Sequence, residues 1–354
     1  MLCQVSALVF LVTLNVVAAQ FSCPTTHITK DNGIFGAIPT GAASMVTVPA
    51  GVDCTYFFDI PKGFAVKLET TALYDVSPGD SIRFDYFYIS SPAEKRIEFA
   101  VNQTLPFHVV SVTGNLQFFA TYTYIDMTGY QQVVQPTGTF FNSTLEANKY
   151  LTFKSAENEQ VAVKYGSLQS GFADSSIYEI FVFDGNDITN AEYLGRFTEL
   201  YHAPQYAIYS TSNTLTFLNL YRTPSNSMLL ANDASVIENY EVYNIMVLDS
   251  VNPYSGYMSN YYDDADAYFT VICDGCSSIN IKTLIFDSKY KNGAGYLEVA
   301  EMSPTQKLPA KLNYPASTSP SNRLPQLISS QMATFHTFNA RVTYGIQVRF
   351  GVDE

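Results

Sequence analysis

The sequence predicts an all-β fold of tandem antiparallel sandwiches, and three observations carry that reading. Only 14% of the 354 residues are charged and another 14% are aromatic, with 26 Tyr and 25 Phe, a composition that suits pleated, half-buried surfaces. Short alternations of apolar and polar residues recur at roughly ten-residue spacing between turn signals, without βαβ alternation. The third observation is a weak internal repeat. "LPFHVVSVTGNLQFFATY" (105–122), "APQYAIYSTSNTLTFLNLY" (203–221) and "LPQLISSQMATFHTF" (324–338) share a Pro, an apolar strand reaching a Ser, a polar break and a second alternating strand. Each reads as a hairpin. Comparable strands precede them in "SIRFDYFYISS", "SIYEIFVFDGN" and "GAGYLEVAEMS".

Residues 1–19 carry no charged side chain, run apolar from Val5 to Val17 and end in Val17-Ala18-Ala19, the pattern of a cleaved signal peptide. That apolar run is too short for a comfortable membrane span, and the acidic C-terminus lacks the hydrophobic tail of a GPI signal. The mature chain then divides into units at 20–130, 131–249 and 250–354, separated by "GYQQVVQPT" and "SVNPYSGYMS". A formal charge of −13 repels polyanions, which argues against nucleic acid as a partner and against a basic membrane-lytic face. The sequons at Asn102 and Asn142 fit a secreted, extracellular glycoprotein and place both residues on exposed loops or strand ends.

Removal of the signal peptide leaves four cysteines, which can pair in three ways. The favoured pairing joins Cys23 to Cys54 and closes a loop of about thirty residues. Cys273 and Cys276 flank Asp274-Gly275, a two-residue turn between strand-like runs, so they are expected to clip a hairpin. Redox chemistry would need a helix beginning at this C-x-x-C, and zinc would need four ligands.

With strands placed, "YEIFVFDGNDITNAEYLGRF" and the hairpin after it resemble the middle of a CUB domain, through Gly185, Leu194, Gly195, Phe197, Pro204, Ser210, Asn213 and Leu215. The first unit resembles the CUB-like family abundant in nematodes, through Cys23-Pro24, "ITKDNG" (28–33) and "VPAGVDCTYFFDIPKGFAVKL" (48–68). The resemblance implies CUB-like sandwiches of jelly-roll type, secretion, and association with responses to pathogens or stress, an innate immune setting. Thr198 stands where a standard CUB domain has a cysteine, and Tyr178 stands where some bind calcium. In the first unit Asp85 and Asp126 could hold calcium, but isolated carboxylates read as solvent-facing; no metal or cofactor is expected.

Catalytic signals are thin. His27, His108, His202 and His336 lie at strand edges or loops, with no nucleophile elbow, H-E-x-x-H helix or phosphate loop, so the chain is read as a non-enzyme. The acidic run Asp263, Asp264, Asp266 lacks EF-hand spacing and reads as a solvated loop. Before it, "YSGYMSNYYDDADAY" (254–268) has paratope-like composition, which marks Tyr257, Tyr261 and Tyr262 as a possible binding loop; the competing reading is that these tyrosines seal the joint between the second and third units. The function expected is recognition of a protein or glycan ligand by sandwich loops, and the alternative is a structural glycoprotein of an extracellular or luminal layer.

Overall fold

The computed structural model describes residues 21–351 except 77, 86, 168–176, 179, 202–206, 222–226, 241, 249–254, 259–265, 287–294, 306–308, 318 and 339–345. Two compact units result: one holds the chain to Pro61 and Ala65–Ile125, the other Lys62–Phe64 and everything from Asp126.

The first sandwich contains β1 (Ile28–Thr29), β2 (Phe35–Ile38), β3 (Val46–Thr47), β4 (Val52–Asp59) and β5 (Phe64–Leu73). It continues through β6 (Ser81–Phe84), β7 (Phe87–Tyr88), β8 (Ala93–Val101), β9 (Thr104–Ser111) and β10 (Gln117–Asp126). One sheet runs β1-β4-β9-β6-β7 and the other β2-β10-β5-β8, with β3 also on β10. Alternation explains the layering: inward Phe58, Phe84, Phe107 and Phe118 are fully buried, while outward Phe57 and His108 keep access to solvent.

The second unit carries two further sandwiches of the same plan. The earlier comprises β11 (Gln131–Pro136), β12 (Phe140–Asn142), β13 (Lys149–Lys154), β14 (Val161–Ser167) and β15 (Ile180–Asp184), then β16 (Glu192–Arg196), β17 (Ile208–Tyr209), β18 (Thr214–Asn219) and β19 (Ser227–Asp233). Its sheets run β11-β13-β18-β15-β16 and β12-β19-β14-β17. The later comprises β20 (Val242–Leu248), β21 (Ser255–Met258), β22 (Ala267–Cys273), β23 (Ile279–Phe286) and β24 (Tyr296–Ala300), then β25 (Leu312–Pro315), β26 (Gln326–Ile328), β27 (Met332–Phe338) and β28 (Ile346–Gly351). Its sheets run β20-β22-β27-β24-β25 and β21-β28-β23-β26. The sequence puts the boundary at 249/250, but β20 pairs with β22, so the third sandwich draws its first strand from Val242 onward.

Three expectations change. The repeated hairpins are arches: β9 and β10, β17 and β18, and β26 and β27 each fall in opposite sheets, so the chain crosses the core at the break. The first quoted repeat is also one strand out of register, because β8, not β9, matches β17 and β26 in sheet order. Alternation tells which side of a strand is buried, but two strands facing one core from opposite sheets alternate as a hairpin does. The arch serines are bonded: Ser111 Oγ accepts from Gly114 N–H at 3.2 Å and Ser330 Oγ from Met332 N–H at 3.2 Å within their own breaks, while Ser210 Oγ accepts from the distant Val161 N–H at 2.8 Å. Likewise Cys273–Cys276 clips no hairpin, since β22 and β23 lie in opposite sheets. Finally, each sandwich departs from antiparallel order at one edge, where β1 runs parallel to β4, β11 to β13 and β20 to β22.

Within the second unit, the sheet carrying β14 and β19 packs on the sheet carrying β20 and β22 through Met228, Leu230, Ile237, Tyr243, Val247 and Ile272. Contact is close: a Cβ on Gly166 would meet Ile245 Cγ2 at 2.4 Å. Tyr243 Oη donates to Asn232 Oδ1 and lies 3.1 Å from Thr270 Oγ1, while Lys164 Nζ sits 5.3 Å from the Tyr243 ring centroid. Burial pushes the Lys164 amine down to about 7. Tyr268, the last residue of the Tyr-rich segment, stacks between Tyr240 at 3.6 Å and His336 at 3.9 Å, and packs at this joint.

Candidate functional site

The first sandwich opens a cleft of about 380 Å³ at one end. Parallel pairing creates it. Thr29 lies opposite Asp59, so β1 and β4 leave the sheet at the same end, one into a 3-10 turn (Lys30–Asn32) and the other into Ile60-Pro61. Thr29, Lys30 and Asp31 form one wall, and Asp59, Ile60 and Pro61 another. Antiparallel β9 begins beside them, with Thr104 opposite Asp59, and brings Gln103 and Thr104 from the β8–β9 arch as the third side. The buried Tyr124 hydroxyl donates to the carbonyls of Ile28 at 2.8 Å and Asp59 at 3.1 Å, fixing the two parallel strand ends together.

Asp59 is the electrostatic centre. Its carboxylate accepts from Thr104 Oγ1 at 2.8 Å and from His27 Nδ1 at 3.0 Å. Those bonds, Thr104 first, hold its pKa below the ordinary carboxylate value against the opposing effect of desolvation. The His27 ring lies 5.1 Å from that of Phe57, which shares the outer face of β4 with Asp59 and is 39% exposed. Lys30 Nζ meets Asp31 Oδ1 at 3.2 Å. Exposed Ile34 and Phe35 follow the 3-10 turn.

One backbone bond marks this corner in all three sandwiches. Ile60 N–H donates to Gln103 O at 3.1 Å, Ser155 to Asn213 O at 3.0 Å, and Cys273 to Gln331 O at 2.8 Å. Cys273 thus occupies the place of Ile60.

The remaining predicted residues are scattered. Cys23 and Cys54 are bonded with Cα atoms 5.5 Å apart, and Cys273 and Cys276 with Cα atoms 5.7 Å apart. Asn102 sits in the β8–β9 arch with φ 53°, beside cleft residue Gln103. Asn142 lies in β12, where its Oδ1 accepts from Thr144 N–H at 2.7 Å. Tyr257 pairs with Gln347 in the β21–β28 ladder, whereas Tyr261 and Tyr262 lie outside the described residues, as do His202, Asp263 and Asp264. Asp126 accepts from Thr128 N–H at 2.9 Å, and the peptide N–H of Asp85 donates to Pro106 O at 2.9 Å. His108 is held between Arg83 at 2.7 Å and Asp53 at 2.6 Å. Burial pushes His336 down to about 4, opposed by Asp266 at 3.4 Å. Among the described residues, no three His, Cys, Asp or Glu side chains converge as a metal site, and no helix is long and apolar enough to cross a membrane.

Sequence reasoning missed Asp59, Thr104 and Gln103 as site residues. A signal existed: the two stretches that carry the CUB-like resemblance in the first unit, 28–33 and 48–68, supply two of the three cleft walls.

Comparison with known proteins matches residues 18–128 to the CUB-like domain family. No curated protein matches the chain. Among solved structures, the CUB1-EGF-CUB2 domains of rat MASP-1 are 10% identical, with 92% of this chain and 99% of that one covered at a TM-score of 0.24. The CUB1-EGF-CUB2 domain of human MASP-1/3 is 12% identical over 57% of this chain and all of that one, at 0.22. A structure of the triple jelly-roll fold and turret assembly in an archaeal virus is 7% identical, with 86% of this chain and 83% of that one covered, at 0.21.

Proposed function

We propose that this chain is a secreted, non-catalytic recognition protein of pathogen or stress responses, and that it holds its ligand in the Asp59 cleft. CUB-like domains generally act as binding modules, and residues 18–128 match that family. The observation that carries the reading is the cleft itself: three chain segments from one sandwich end converge on an ionised carboxylate. Such loop ends vary without disturbing the sheets beneath. No nucleophile–base pair is needed for this role, and the bonds of Asp59 hold it as an acceptor.

The test is capture on arrays of microbial surface glycans and host secretory proteins, comparing the unaltered chain with Asp59→Ala, Thr104→Ala and, as a control on the same sheet, Asp53→Ala. The expected result is a ligand retained by the unaltered chain and the control and lost by both cleft variants. Capture indifferent to Asp59 and Thr104 would refute the assignment.

A further inference from the structure

We infer that the ligand class of this cleft is an uncharged oligosaccharide, an inference that rests on reading the cleft as a binding site. Three features point there together. First, the charged groups at the cleft already hold partners, Lys30 with Asp31 and Asp59 with the Thr104 hydroxyl and the His27 ring, so an ionic ligand would have to displace one of them. Second, the lining combines acceptors and donors: the carboxylate of Asp59 with the Thr104 hydroxyl bonded to it, and residues Gln103 and Thr29, which bring an amide and a hydroxyl. A polyol carries donors and acceptors on neighbouring carbons and satisfies such a surface without bringing a charge. Third, a ring platform adjoins the polar wall. Phe57 lies two residues before Asp59 on the same face of β4, opposite Pro106 on β9, and the tilted His27 ring extends that surface. Pyranose rings present C–H faces to aromatic rings and hydroxyls around their edges, so the juxtaposed platform and polar wall match the two chemistries of one sugar unit. A cleft of about 380 Å³ has room for a short oligosaccharide.

Isothermal titration and ligand-observed NMR on the full chain, produced in a host that attaches no N-linked sugar so that neither a glycan nor an added charge at Asn102 borders the cleft, test this. The probes are chitotriose, laminaritriose, maltotriose and mannotriose, with sialyllactose as the anionic arm and trilysine as the cationic arm. At least one neutral probe is expected to bind with millimolar affinity or better, and Asp59→Asn and Phe57→Ala are each expected to weaken it about tenfold or more. Phe57→Tyr, which keeps the ring, should restore binding, whereas a purely structural role for Phe57 would show as a lowered melting temperature without that rescue. Binding of sialyllactose or trilysine, lost in Asp59→Asn, with no neutral probe bound, would overturn the sugar assignment and leave the recognition reading standing. Silence from every probe, together with array capture indifferent to Asp59, would remove both. Neutral sugar binding unaffected by either variant would place the site elsewhere and overturn the inference.

Discussion

The same corner of the same fold is built differently in the first and third sandwiches. In the first, the strand leaving the sheet at Ile60 continues into Pro61 and leaves a cleft beside Asp59. In the third, Cys273 takes the place of Ile60, bonds to Cys276 three residues on, and both sulfurs are buried; Asp274 N–H then donates to Leu248 O at 3.0 Å, tying the turn to the parallel edge strand. In the second sandwich Ser155 is buried at that position, as Ile60 is in the first, and its hydroxyl donates to Glu159 O at 2.7 Å. Strand order therefore supplies in each sandwich a place where two parallel strands end together, and a buried residue, Ile60, Ser155 or Cys273, holds it through one shared backbone bond.

That contrast can be broken from either side. The largest expected effect is on the open side: Cys23→Ser with Cys54→Ser releases a loop spanning 31 residues and should cost about 3 to 4 kcal/mol, read by denaturant unfolding of the first sandwich. On the closed side, Cys273→Ser with Cys276→Ser releases a far shorter loop and should cost about 2 kcal/mol. Hydrogen exchange at Asp274 should then accelerate while the first sandwich stays unchanged. Equal losses from the two pairs would show that loop length does not set what each disulfide contributes.

A smaller change tests how the open corner is held. Tyr124→Phe removes the hydroxyl shared by the Ile28 and Asp59 carbonyls and should cost about 1 to 2 kcal/mol, with greater exchange at Thr29 and Ile60 than elsewhere. The smallest effect is electrostatic. The folded pKa of Asp59 lies below its unfolded value near 3.8, so its contribution is complete above that value and lost as pH falls through the folded one. Thr104→Val removes the first cause of that shift, so its stability should match the unaltered chain at pH 7 apart from a constant offset and fall less steeply between about pH 5 and pH 2. An identical acid slope in both proteins would show that Thr104 does not hold the carboxylate.

Much of the architecture was legible in the chain. Tyr and Phe content, period-two alternation and the spaced repeats are direct consequences of half-buried sheets, and they pointed to the β-sandwich fold. Sheet membership was not legible, because Ser111, Ser210 and Ser330 close arches with the same polar break that a hairpin uses. The parallel edges escaped notice for a similar reason: Ile28-Thr29 is too short to show a period, and its partner lies thirty residues on. That pairing is what assembles the cleft. Asp59 and Thr104 are 45 residues apart and meet only across two strands, so no local pattern could join them. His27, assigned no role from sequence, holds Asp59.

The three sandwiches are also consecutive in the chain, and among the described strands none is borrowed by one sandwich from another. Synthesis therefore releases a complete set of pairing partners for the first sandwich once β10 has emerged, before any strand of the second is made, and the same holds at each later boundary. Inside a sandwich the opposite applies: β4 waits for β9 and β22 for β27, long closures that are slow and leave unpaired edges in the interval. Maturation of this protein is thus expected to advance in three delayed steps along the growing polypeptide, each one finished by its final pair of strands.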